Sequence, residues 1–281
     1  MSKAALIRRA SPADAEELRR IYREVYEGRY TLSIICDPEE CRSALERPDI
    51  HWFVAEAGGR VVGSVVFSVD EGLKLAQVFG AVVLPEFRGA GLTEAAIRLG
   101  LSELVDRGGL AQSVYATART VSPAPRKLLA NLGFKDLGIF PNVRKVDNYE
   151  THCMSAYFRE GALEARVGPP RLPGSLKPFF SIVQAATGIA DAEWHDVPVE
   201  PSCPYAGGWV EFETVSAPQL ILRRWKALKA ERKLKMQFFP FHEPNLLLAA
   251  KDGSAEVYIH YSAADRHAAI VGGHESVPDL T

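Results

Sequence analysis

The stretch PEFRGAGLTEAAI, Pro85 to Ile97, sets an arginine and two glycines between an apolar run, LKLAQVFGAVVL, and a helix-like run. A strand that ends and feeds directly into a helix leaves the first backbone N–H groups of that helix unpaired, and the helix dipole adds positive character there. An anion, most naturally a phosphate, is stabilised at such a junction. Gly89 and Gly91 carry no side chains, so a diphosphate can approach the backbone closely, and Arg88 brings a cation within reach of its oxygens. The spacing is neither GxxxxGK[ST] nor GxGxxG, which excludes the P-loop and the dinucleotide fingerprint. The competing reading is a tight strand-to-helix turn, for which glycines are equally suited.

Upstream, AALIRRA reads as a short strand and SPADAEELRRIYREVYEG as a helix. Ser11 is placed to cap it, Pro12 suits its first turn, and Asp14 completes a capping box. Leu18, Ile21, Tyr22 and Val25 recur at helical spacing. DPEECRSALE repeats the pattern with Asp37 as cap and Pro38 at the first helical position. HWFVAEAGGRVVGSVVFSVD reads as two strands joined at Gly58-Gly59. The apolar run before Pro85 predicts a central strand covered on both faces.

Downstream, LTEAAIRLGLSELVDRGG predicts one amphipathic helix ending on glycines. QSVYATART predicts a strand, SPAPRKLLANLGF a short helix with Ser122 as cap, and ETHCMSAYF a further strand. Alternating strands and helices over residues 1–160 make an α/β domain with a mixed sheet. Residues 161–206 are proline-dense and read as a linker with a short helix at FFSIVQAAT. Residues 207–281 read as a small α+β unit, with a strand at GWVEFET, a helix at APQLILRRWKALKAERKLK and several strands turning at Asp252-Gly253; extending the first sheet, shaping the acceptor site, closing a sheet edge and mediating dimerisation are the open options for it.

With 281 residues, 47% hydrophobic and 24% charged, the chain has the composition of a globular protein with a sizeable core. A net charge of -2 argues against bulk nucleic-acid binding. Cys36, Cys41, Cys153 and Cys203 show no metal spacing and read as thiols in a reducing compartment. No stretch has the length or apolarity of a membrane span, and the N-terminus turns charged too soon for a signal peptide. A cytoplasmic protein is expected.

Arg88-Gly89-Ala90-Gly91-Leu92-Thr93, preceded by Val83-Leu84-Pro85, resembles the acyl-CoA-binding motif of the GNAT N-acetyltransferase superfamily. VAEAGGRVVGSVVF is similar to that family's second and third strands, and KLLANLGFKDLG to its last helix and following strand. The three motifs fall in the family's order and cover residues 5–158. The resemblance implies a GNAT-like fold with a C-terminal extension and an N-acyltransferase using acetyl-CoA or another acyl-CoA. The pyrophosphate would lie on the N–H groups of Arg88 to Thr93. The pantetheine arm would follow the fourth strand at Ala81, Val82, Val83 and Leu84. An amine, on a small molecule or a peptide, would enter from the opposite side, near Tyr22, Tyr26 and Tyr30. No metal is implied, and a homodimer is compatible with the reading.

Three positions depart from the family pattern. Thr93 replaces the last Gly or Ala of the motif. Leu129 stands where many members carry the tyrosine that protonates the departing thiolate, which leaves Tyr115 as a substitute acid. Gln77, Val78, Phe79 and Gly80 offer no carboxylate where some members place a base, so the base is either water-relayed or comes from elsewhere, such as Glu24, His51 or His152; the general roles of His51 and Tyr115 are the two catalytic expectations. His51, His152 and Tyr115 are equally compatible with structural roles. In the second unit, Arg223 to Lys235 form a basic amphipathic helix, which suits an anionic partner or merely a solvated face. His242, Glu243, His260, Asp265 and His267 are metal-ligating types without ligand spacing. A non-catalytic acyl-CoA-binding module, or an interaction protein acting through residues 207–281, is the alternative function.

Overall fold

The computed structural model describes residues 5–28, 33–145, 148–166, 168–196, 210–234 and 241–275. Seven strands, β1 (Leu6–Arg9), β2 (Ile50–Ala57), β3 (Arg60–Asp70), β4 (Leu75–Val83), β5 (Ser113–Arg119), β6 (Lys135–Lys145) and β7 (Tyr149–Phe158), form one sheet. Their order is β1-β2-β3-β4-β5-β7-β6. The β1–β4 pairings are antiparallel, β4 and β5 run parallel, and β5 and β7 are antiparallel. The parallel pair requires a crossover, which α4 (Leu92–Leu101) and a π-helical continuation, Ser102–Asp106, supply. The second half of the expected α-helix is therefore π-helical.

The two faces of the sheet bury different helices. α1 (Ala15–Tyr26), α2 (Ser33–Cys36) and α3 (Pro38–Glu46) pack with Trp52, Val54, Val66 and Val82. α4 and α5 (Ala124–Asn131) pack on the other side with Phe53, Phe67, Val78, Val114 and Ala116. β4 contributes Val78 to one cluster and Val82 to the other, so it is central and covered on both faces as its apolar run predicts. The single turn of α2 was not legible in the sequence.

Capping follows the chemistry of the side chains. Asp37 accepts from the N–H groups of Glu39 and Glu40, both at 2.9 Å, satisfying two donors at the start of α3. Ser11 N–H donates to Asp14 Oδ2 at 2.7 Å, but a 3-10 turn, Pro12–Asp14, precedes α1. Arg8 grips Asp14 with two bonds of 2.8 and 2.9 Å and reaches Glu56 at 2.8 Å.

Two compact units divide the chain. One holds the residues up to Asn142 and those from Glu150 to 196; the other holds Val143–Tyr149 and the residues from 210 onward. In the first unit, the proline-dense segment carries a two-stranded parallel pair, β8 (Arg171–Pro173) and β9 (Glu193–His195), and α6 (Lys177–Thr187). Phe180 meets Trp194 edge-on at 5.5 Å. In the second unit, β10 (Phe212–Val215), β11 (Leu246–Ala250), β12 (Ala255–Ser262) and β13 (His267–Glu275) form a separate four-stranded sheet. Among the described residues no pairing joins it to the first sheet, so the option of extending that sheet is not the one taken. α7 (Pro218–Ala230) seals one face through Ile221, Trp225 and Leu228, which pack with Leu247, Tyr258 and Val271.

Candidate active site

The site starts from an irregularity in β4. Ser64 pairs with Val82, and two residues on in β3 Val66 pairs with Phe79, so Gly80 and Ala81 are squeezed out as a bulge. Gly80 has φ of +62°, and a Cβ there would lie 2.9 Å from the Tyr22 hydroxyl and 3.2 Å from Val66. Only glycine meets both demands. The hydroxyl of Tyr22 donates to the Gly80 carbonyl and lies 3.0 Å from Ser64 Oγ. Trp52 Nε1 donates to the same Ser64 oxygen at 2.6 Å. With the Tyr22 proton committed to Gly80, the Ser64 hydroxyl donates to Tyr22, and a one-way relay runs from Trp52 to the bulge.

The bulge decides what lies beside β4. Its parallel pairing with β5 runs from Leu75↔Ser113 to Gln77↔Tyr115 and stops. β5 continues in register with β7 as far as Arg119↔His152. Beyond Gln77 the edge of β4 facing β5 therefore opens into a wedge. Ala81 is exposed and Val83 half-buried beside it, while the side chains of Val82 and Leu84 are buried, leaving their backbone as what they can present. Leu84 N–H is taken by Val62 O at 2.9 Å.

At its open end the wedge meets the start of α4. Gly89 and Gly91 have φ of +78° and +74°, and nothing lies within 4 Å of a Cβ built on either. The first helical bond runs from Ala95 N–H to Gly91 O at 2.9 Å, so the N–H groups of Leu92, Thr93 and Glu94 point out of the helix end. Arg88 and Ala90 are exposed, and Arg88 Nε donates to Val83 O at 3.4 Å. An open concavity of backbone donors beside a cationic side chain fits a diphosphate group. Thr93, in the first turn and half-buried, leaves that concavity open.

Tyr115 and Gln77 face each other where the wedge closes. The Tyr115 hydroxyl donates to Gln77 Oε1 at 3.0 Å, and burial pushes the phenol up to about 12. It stays protonated through the neutral range. Leu129, at the position where the family resemblance leads one to seek an acid, is buried in the core beneath α5.

The remaining candidates are dispersed. His51 lies on β2, buried on the face covered by α4, and burial pushes its imidazole down. Two strands separate it from β5, on which Tyr115 sits. Tyr22 is buried and serves the bulge; Tyr26 stacks on it at 6.3 Å and is half-buried. Tyr30 and Cys203 lie outside the described residues. Glu24 pairs with Arg20 at 3.1 Å on the exposed side of α1. Among the described residues no group of three or more His, Cys, Asp or Glu is placed to hold a metal. In the second unit His242 stacks on His260 at 4.1 Å, and Arg224 and Lys226 of the basic helix pair with Glu256 and Glu243. Cys41 and Cys153 are buried, and burial pushes both thiols up, which makes them poor nucleophiles.

One grouping was not read from the sequence. His152, opposite Arg119 in the β5–β7 ladder, lies 3.8 Å through Nε2 from Glu150 Oε2. Arg119 closes a two-pronged pair on the same carboxylate, with Nε at 2.6 Å from Oε2. Period-two spacing of Glu150 and His152 was visible, but the partner 31 residues away was not.

The model of the Acetyltransferase (GNAT) family matches residues 15–134. This part of the chain is a GNAT acetyltransferase domain. A GNAT-family acetyltransferase from Streptococcus pneumoniae superposes with a TM-score of 0.50 at 20% identity, over 55% of this chain and 99% of that one. A ribosomal-protein-alanine N-acetyltransferase from Brucella melitensis gives 0.48 at 24% identity, over 54% and 99%. A ribosomal L7/L12 α-N-protein acetyltransferase in complex with coenzyme A gives 0.48 at 14% identity, over 57% and 96%. At these identities the likeness is one of fold. No curated protein matches the chain. Among the described residues no helix is long and apolar enough to cross a membrane.

Proposed function

We propose that this protein transfers an acyl group, most simply acetyl, from coenzyme A to an amine. The observation that carries the reading is the wedge between β4 and β5, which opens beyond Gln77 and ends on the glycine-lined start of α4. Acetyl-CoA supplies a thioester, whose carbonyl an amine attacks without a covalent enzyme intermediate. The chain's part is to bind, orient and manage protons. Backbone N–H groups of Leu92, Thr93 and Glu94, with Arg88, hold the diphosphate. The edge of β4 beyond Gln77, where the rungs to β5 stop, offers backbone donors and acceptors to an amide-bearing arm, as a missing strand would, with the Gly80 carbonyl held by Tyr22 and the Val83 carbonyl by Arg88. Tyr115, half-buried and protonated, delivers the proton that the departing thiolate needs.

The test is calorimetric titration with acetyl-CoA and with coenzyme A, for the wild type and Arg88→Glu, together with thiol release on a panel of amines. Binding that weakens at least tenfold in the variant, with turnover of an amine by the wild type, supports the reading. Binding without turnover on any amine points to a non-catalytic acyl-CoA module. No binding at all reduces the glycine junction to a tight turn.

A further inference from the structure

We infer that Gln77 is the positioning residue of the acid: its side-chain amide holds the Tyr115 proton at rest and, turned over, frees that proton and donates to the oxygen left behind. The inference rests on the acyltransferase reading above and deepens it. Gln77 and Tyr115 stand opposite each other on the last rung between β4 and β5. Both point away from α4 and α5, because Ala76, Val78, Val114 and Ala116 on either side of them are buried in the cluster beneath those helices. Across the sheet the same row runs from Ser68 through Gln77 and Tyr115 to Ala156. No charged side chain stands in that row, and burial is what raises the phenol.

At rest this pair cannot serve a thiolate. The Tyr115 proton lies along the 3.0 Å bond to Gln77 Oε1, so sulfur in the wedge meets the lone pairs of the phenol oxygen and not its proton. A phenol pushed up to about 12 also holds its proton more tightly than an ordinary thiol, at about 8.5. Transfer to sulfur therefore needs the proton released from Gln77 and the phenolate stabilised where it forms. One movement of Gln77 does both. A carboxamide carries an acceptor at one end and two donors at the other, and a phenol hydroxyl bonds to either. The last torsion of glutamine is broad and nearly two-fold, so a half-turn costs little. Among the described residues no acceptor holds the Gln77 amide nitrogen, and it is not sealed in the interior. Turned over, it sets an N–H against the Tyr115 oxygen and leaves the hydroxyl proton directed into the wedge.

Donation to a forming anion strengthens as its charge grows, so this bond favours the transition state over the resting pair. Ionised glutamate at the same place would hold the proton with no hydrogen to give back. In the reaction the acceptor, its first proton already lost to solvent, forms the C–N bond through its lone pair to the acyl carbon. The C–S bond breaks with its electron pair leaving on sulfur. The thiolate takes the Tyr115 proton while the Gln77 N–H holds the phenolate. The second proton lost from nitrogen returns through water to the phenol. Amine and thioester become amide and thiol.

The experiment measures kcat and KM by thiol release, with acetyl-CoA and a panel of peptide α-amines, lysine side chains and polyamines. Gln77→Leu should lower kcat about tenfold or more, with KM for acetyl-CoA within about twofold of wild type. A glutamine that only pinned the proton would give the opposite sign, a faster Gln77→Leu. In the Tyr115→Phe background the same substitution should cost nothing further, because Gln77 acts through the phenol. Gln77→Glu keeps the shape, and its kcat relative to wild type should rise as pH falls and the carboxyl gains a proton to donate. This second variant decides the matter if Gln77→Leu does not fold. An unchanged or raised kcat in Gln77→Leu, additive losses in the Tyr115→Phe background, or a Gln77→Glu ratio flat with pH would overturn the role of Gln77 and leave the acyltransferase reading standing. No turnover of any amine by the wild type would overturn both.

Discussion

The hydroxyl of Tyr22 donates to the carbonyl of Gly80, joining the buried face of α1 to the bulge in β4 across 58 residues of chain. This bond holds the strand in the shape that opens the wedge, because the bulge consumes the register that would otherwise carry β4 onward beside β5. Tyr22→Phe keeps the ring in the core and removes the bond, leaving Ser64 and Gly80 with unmet demands. It should cost about 1–2 kcal/mol in chemical denaturation. Acetyl-CoA affinity should fall with it, whereas a purely structural hydroxyl would leave affinity unchanged.

Gly80→Ala should be more severe, since it adds strain at positive φ to a contact of 2.9 Å with Tyr22. A loss of about 2–4 kcal/mol is expected. The double variant Gly80→Ala with Tyr22→Phe should recover part of that loss, because the collision is with the hydroxyl itself. Additive effects in a double-mutant cycle would rule out the direct contact.

Gly89→Ala separates binding from folding. Its Cβ would enter open space but at φ of +78°. Stability should drop by only about 1 kcal/mol. Calorimetry should show a tenfold or greater loss of coenzyme A affinity, since the methyl group occupies the approach to the backbone. Equal loss for a ligand lacking the diphosphate, such as acetylpantetheine, would contradict the placement of the diphosphate at this cradle.

Tyr115→Phe should lower kcat about a hundredfold and leave acetyl-CoA binding within twofold. With the phenol pushed up to about 12 by burial, Tyr115 cannot impose an alkaline fall in rate below pH 10. A limb in that range that vanished in Tyr115→Phe would mean the phenol acts as its anion, against this proposal.

Asp14 gives the protein a pH signature unrelated to catalysis. Hydrogen bonds from Arg8 hold its carboxyl down at about 2, against an ordinary value near 3.9. A depressed carboxylate stabilises the fold above its unfolded pKa, and that contribution fades as pH falls from about 4 through 2. Asp14→Asn should cost about 1–2 kcal/mol at pH 7, allowing for solvent screening of the pair. The difference from wild type should shrink below pH 4 in parallel urea titrations.

Local signals were legible in the sequence wherever the chemistry is contiguous. Asp37 with Pro38, the Gly58-Gly59 turn and the Arg88 to Thr93 junction each combine residues within a few positions of one another. Gly80 was visible as a residue but not as a bulge, because the reason for it is Tyr22, and no periodicity in α1 distinguishes a packing tyrosine from one that donates to a distant carbonyl. His152 was named in the sequence, but its grouping with Glu150 and Arg119 was hidden for the same cause: only the β5–β7 register brings Arg119 to them. Whether the second unit forms a separate sheet was left open in the sequence because edge pairing depends on which strands are already paired, which an apolar pattern does not state. The π-helical end of α4 has no sequence signal that we can identify.

Three rungs, Leu75↔Ser113, Ala76↔Val114 and Gln77↔Tyr115, with the bond from Gln112 N–H to Lys74 O just before them, are the backbone pairing that joins β1–β4 to β5, β7 and β6 among the described residues. The wedge is therefore also a seam. Local opening of a fold follows its thinnest cooperative boundary, so amides on either side of these rungs belong to separate exchange units, with the rungs themselves the least protected part of an otherwise central strand. An arm laid along β4 would supply the missing rungs and act as a suture. Occupancy would then slow hydrogen exchange across the whole sheet, at strands that no ligand atom touches.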